Sequence, residues 1–168
     1  MSSSSAPTGT DIRIARWHAW WPVAVWLAVI ALESTPVMGA DHTFEPLRRI
    51  FTFFHGPYTF SQWWLWHQVI RKIGHVIGYG IFAATLFRAW WLTIAARSVS
   101  FPSRVLVWAL ALPCVFAVAS LDELHQLFLP NRTGLFSDVL IDLGGAILTM
   151  LLTASWRPKS LPSGLGTL

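Results

Sequence analysis

The sequence predicts an all-α fold: a polytopic membrane helical bundle with four transmembrane helices and an interfacial helix expected before the second. Three observations point there. Hydrophobic residues make up 54% of the 168-residue chain and Asp, Glu, Lys and Arg only 12%, against roughly a quarter charged in an ordinary soluble domain. Four apolar segments stand out, each near the lower end of the roughly 17 to 25 residues that a spanning helix needs. Eleven tryptophans gather near the segment ends, as indole rings do where headgroups meet acyl chains.

Taken in order, MSSSSAPTGT is small and polar, and residues 1–16 read as a disordered tail without the charged start of a signal peptide. The first span covers Trp17 to Thr35 and is a retained anchor, since no small-residue cleavage pattern follows it. Pro22 is expected in its first turns, where a missing N–H matters little, and Thr35-Pro36 ends it. The connection Val37 to Lys72 is too long for a tight helix hairpin and contains Pro46, Gly56 and Pro57 with two aromatic stretches, IFTFF and QWWLW. It is expected to lie on the membrane. QWWLWHQVIRK reads either as an amphipathic lead-in running continuously into the second span, or as a loop whose aromatics fill space. The second, third and fourth spans cover Ile73 to Trp91, Val105 to Leu121 and Val139 to Trp156, and Pro113 is expected to kink the third. Residues 17–157 thus form one transmembrane domain and 158–168 a flexible tail.

Several function classes are excluded. The net charge of +4 is scattered among apolar segments, so nucleic acid is not an expected partner; membrane lipids are. The single cysteine, Cys114, rules out an intramolecular disulfide and a zinc-cysteine cluster. No metal or other cofactor is expected, and oligomeric state leaves no mark in the sequence. Four spans put both termini on one side, with seven basic residues there (Arg13, Arg16, Arg88, Arg97, Arg104, Arg157, Lys159) against five on the other (Arg48, Arg49, Arg71, Lys72, Arg132). Setting Lys72 and Arg132 aside as functional leaves seven against three, which predicts cytoplasmic termini.

The stretch SLDELHQLFLPNRTGLFSDVLIDLGG concentrates ionisable groups beside apolar helices. Lys72, His75 and Tyr79, spaced i, i+3, i+7, share one helix face within an arc of roughly 60 degrees. Asp122, His125 and Gln126 share another, while Glu123 is turned about 100 degrees from Asp122. Asp138, Asp142 and Gly145 lie along a third stripe. Alternating spans bring the start of helix two, the end of helix three and the start of helix four to one membrane surface, where unpaired charge is costly. Lys72, His75, His125 and Arg132 then offset Asp122, Glu123, Asp138 and Asp142 around a polar cleft. Each residue alone has an ordinary explanation: a snorkelling Lys72, Arg132 on headgroups, Tyr79 as an interface aromatic, Asp138 as a helix cap, Gly144-Gly145 as helix packing. The shared depth is what argues for a site, and Asp142, a turn inside apolar surroundings, is least explained by hydration.

RKIGHVIGY and DELHQLFLPNRTGLFSDVLIDLGG together resemble the VanZ-like family of bacterial integral membrane proteins. The family's Lys-x-x-His-x-x-x-Tyr element corresponds to Lys72, His75 and Tyr79. Its Asp-Glu-x-x-Gln element corresponds to Asp122, Glu123 and Gln126, its Pro-Gly-Arg-like turn to Pro130-Asn131-Arg132, and the Asp opening the last helix to Asp138. Asn131 stands where glycine is usual, and Asp142 where asparagine is frequent. The resemblance implies a cell-envelope role; the family's founding member is associated with resistance to the glycopeptide antibiotic teicoplanin. An enzyme acting on an anionic lipid-linked substrate is one expectation, with His75, Asp122, Glu123 and His125 as acid/base candidates. Lys72, Tyr79, Gln126, Arg132, Asp138 and Asp142 would then bind the ligand. A non-catalytic module for envelope lipids, glycopeptide antibiotics or a partner protein uses the same charges, and a small ion-coupled transporter would use Asp142.

Overall fold

The structure, a computed structural model, describes residues 9–95, 103–130, 132 and 134–154. Five α-helices follow in order: α1 Gly9–Glu33, α2 Ala40–His55, α3 Phe60–Ala95, α4 Arg104–Leu127 and α5 Phe136–Ala154. A short 3-10 helix, Pro36–Met38, links the first two. Three helices, α3, α4 and α5, are long and apolar enough to cross a membrane. A fourth span is counted if Trp17–Glu33 and Pro36–His55, bent by 72°, are taken as one broken pair.

Helix α1 starts at Gly9, ahead of its apolar stretch, so Pro22 lies in the helix interior and not in its first turns. An interior proline frees the carbonyl four residues back. That carbonyl belongs to His18, and Arg88 of α3 donates to it at 3.1 Å and to Ala19 O at 3.3 Å. A cation thereby replaces the hydrogen bond that the proline ring removes. Pro113 is likewise accommodated within α4, which stays one helix from Arg104 to Leu127.

The connection Val37 to Lys72 contains a full helix, α2, that its proline and glycines concealed. Phe44, Leu47 and Phe51 recur at helical spacing, and Phe44 and Phe51 pack their rings on Trp63 of α3 at centroid distances of 5.6 and 5.3 Å. Gly56 ends α2 at φ 81, a conformation that costs other residues a clash with Cβ, and its N–H donates to Thr52 O. QWWLW then runs without a break into the second span. At 36 residues α3 is about 54 Å long, well beyond a hydrocarbon core of about 30 Å. Its first turns, with α2 folded against them, stand outside the apolar part of the bundle.

Helix α3 is the centre, packed on α1, α4 and α5. Phe82, Ala83, Leu86, Trp108, Ala111, Val115 and Ala146 fill the core, while Ile73, Ile77, Ile81, Leu140, Leu148 and Leu152 are exposed outward, as lipid-facing surfaces are. Small residues set the closest approach. A Cβ on Gly145 would collide with the backbone of Val76, and one on Gly80 would lie 2.8 Å from Thr149 Oγ1. Gly144 has nothing within 4 Å, so of the glycine pair only Gly145 seats α5 on α3.

Candidate functional site

The polar residues that are remote in sequence meet at one end of the bundle. From α3, Lys72 Nζ donates to Asp138 Oδ1 of α5 at 3.0 Å. One turn further, His75 Nδ1 lies 3.1 Å from Asp142 Oδ1. One more turn in, Tyr79 OH donates to Asp122 Oδ2 of α4 at 3.2 Å. The 3.6-residue repeat thus lays three donors in a row along α3, each facing a carboxylate from a neighbouring helix. His75 and Tyr79 are nearly parallel, with ring planes 8° apart.

Burial grades down this row. The Lys72 side chain is 50% exposed, that of His75 28%, and Asp142 is 0% exposed. Asp142 Oδ2 and Asp122 Oδ1 are buried with no hydrogen-bond partner among the described residues. Such oxygens raise the cost of keeping the site folded, and that cost is met only through the pairs on their sister atoms.

The remaining predicted residues divide between site and scaffold. Glu123, turned away from Asp122 as its spacing requires, is buried and accepts from Leu135 N at 2.7 Å. It holds the segment leading into α5 instead of facing His75. Arg132 donates through Nη2 to Glu33 O at 2.6 Å and Thr35 O at 2.7 Å, closing the C-terminal end of α1. His125 is exposed and shares a hydrogen bond of 2.8 Å with Ser34, itself 4% exposed. Gln126 is buried at the end of α4. Asn131 lies outside the described residues. Glu33, Asp122 and His75 are near enough to feel one another's charge, as are Glu123, Asp138 and Asp142.

Three participants escaped sequence reasoning. Arg71 donates to Met38 O at 3.1 Å and Thr43 Oγ1 at 3.3 Å, pinning the turn between α1 and α2. Thr43 also shares a hydrogen bond of 3.2 Å with His67, which is 1% exposed. His67, Arg71 and His75 recur every four residues, a stripe visible in the sequence once α3 is extended back to Phe60. Two cavities border α2: one of about 340 Å³ lined by Phe44, Trp64, His67 and Asp41 among others, and one of about 90 Å³ reaching Arg132. The acids themselves are packed between helices, so the expected open cleft is a paired cluster with a polar rim.

No group of three or more His, Cys, Asp or Glu side chains with the spacing for a metal ion occurs among the described residues. A family model described as VanZ/LLP1 matches residues 19–157. Searches of curated proteins and of solved structures find no match.

Proposed function

Given that the chain belongs to the VanZ/LLP1 family and is a membrane protein of helical build, we propose that its polar end acts on an anionic, lipid-linked headgroup of the cell envelope by acid/base chemistry. The excess of Lys and Arg at the opposite end supports cytoplasmic termini and an extracytoplasmic site. The observation that carries the reading is the contact between His75 and the fully buried Asp142. A carboxylate on Nδ1 holds the proton there and leaves Nε2 as the basic nitrogen of a side chain that is 28% exposed. Asp142, grouped in the sequence with ligand-binding residues, is thereby the orienting carboxylate.

Lys72, half exposed at the rim, supplies the cation for a headgroup phosphate by giving up its exposed pair with Asp138, a contact worth at most about 1 kcal/mol. Tyr79 and Asp122 form the inner wall. Glu123 and Arg132, holding backbone, position α5 and α1 around the pair. His125 with Ser34 lies beside the site on the α1 side.

A non-catalytic module gripping envelope lipids, a glycopeptide antibiotic or a partner protein is the second reading, favoured by the use of Arg132 and Glu123 on backbone groups. Ion-coupled transport rests on Asp142 alone. The test is phosphate release from phosphatidic acid or an isoprenyl phosphate by purified protein in proteoliposomes. Turnover that falls roughly 10²- to 10⁴-fold in His75→Ala, with lipid binding retained, is the expected result. Turnover unaffected by His75→Ala would exclude the pair, and binding without any turnover by the wild type would leave the second reading standing.

A further inference from the structure

The larger cavity beside α2, about 340 Å³, is lined by Ala40, Asp41, Phe44, Trp64, His67 and Gln68. Its chemistry is specific. Trp64 is 54% exposed and presents an indole that no neighbouring ring covers among the described residues, with Phe44 beside it. Asp41 is exposed and makes no ion pair or hydrogen bond among the described residues. His67 is buried and already engaged by Thr43. Phe44 is already packed on Phe60, Trp63 and His67, so the uncovered indole of Trp64 with the unpaired carboxylate of Asp41 is the arrangement that attracts an alkylammonium group, through the ring quadrupole and through charge.

The cavity also lies in line with the polar end. Trp64, Gln68, Arg71 and His75, spaced i, i+4, i+7 and i+11, occupy an arc of roughly 60 degrees on α3. Lys72 stands one turn beyond Gln68 and two beyond Trp64, about 6 and about 12 Å along the axis. We propose that this cavity holds the ammonium group of a zwitterionic lipid headgroup whose phosphate lies toward Lys72 and His75. The placement of the phosphate, the anionic part of that headgroup, rests on the proposed site for an anionic group at the polar end; the ammonium site rests on the cavity.

The test uses the full chain in detergent with equimolar phosphatidylethanolamine and phosphatidylglycerol, bound lipid being counted by native mass spectrometry. The wild type retains the ethanolamine lipid roughly tenfold over the glycerol lipid. Asp41→Asn and Trp64→Leu each bring the ratio close to one, whereas Trp64→Phe, which keeps a ring, preserves it. Asp41 is exposed, so its variant folds as the wild type does. Equal retention of both lipids by the wild type, or a preference surviving both Asp41→Asn and Trp64→Leu, overturns the proposal. Displacement of the lipid by an equal concentration of soluble phosphoethanolamine assigns the cavity to a free solute and overturns the lipid source. The readout is binding, so a wild type that turns over no headgroup defeats the acid/base reading without touching this result.

Discussion

At one end of the bundle Lys72, His75 and Tyr79 meet carboxylates from α4 and α5. At the other, Arg88 and Arg104 meet backbone carbonyls, Arg104 donating to Thr153 O at 2.8 Å, and Trp20 meets the hydroxyl of Thr93 at 2.9 Å. Both ends join helices through side-chain hydrogen bonds. They differ in what a lost partner leaves behind. A carbonyl deprived of its arginine is a neutral acceptor, and those of His18 and Ala19 lie inside α1, whereas Asp142 deprived of His75 is a fully buried carboxyl group with no partner on either oxygen. Fastening helices together requires only the first kind of contact, so the second kind needs another explanation, and a site supplies one.

The largest expected effect comes from prying apart the helices that carry the central pair. Gly145→Val places side-chain atoms against the backbone of Val76, next to His75, and is expected to cost about 3 kcal/mol in denaturant unfolding of the detergent-solubilised protein. Gly144→Val, at a position with open space, should stay within about 0.5 kcal/mol and is the internal control. Tyr79→Phe removes the donor on Asp122 Oδ2 while Oδ1 already lacks one, and a loss of about 1–3 kcal/mol is expected in the same assay.

At the opposite end, Arg88→Ala uncovers two neutral carbonyls, that of the exposed His18 and that of the buried Ala19, and about 1 kcal/mol is expected. A loss as large as that of Tyr79→Phe would erase the distinction between the ends. Smallest is Lys72→Gln: the pair with Asp138 is solvent-exposed, so its contribution should be under about 1 kcal/mol and should fade as salt is raised.

The bundle was legible in the sequence because lipid imposes a simple rule on composition, and the apolar runs within α3, α4 and α5 obey it. Helix α2 was hidden because Pro46, Gly56 and Pro57 read as breakers, although Pro46 is contained within the helix and only Gly56 ends it. The early start of α1 was hidden for the opposite reason, since residues before Trp17 carry no apolar pattern to announce a helix. Within the site, the stripe Lys72–His75–Tyr79 and the outward turn of Glu123 followed from 3.6-residue geometry alone. Which acid each donor meets did not follow, because that depends on how closely Gly145 lets α5 approach α3. The backbone roles of Arg132 and Glu123 were equally invisible, since a carbonyl acceptor leaves no trace in side-chain composition.

The central claim is that His75 and Asp142 act as one unit inside the polar end. A double-mutant cycle of His75→Gln and Asp142→Asn, read by unfolding free energy, measures it directly. The account predicts a coupling of about 1–3 kcal/mol, with the double variant more stable than the two single losses would sum to. Independent, additive losses would contradict it.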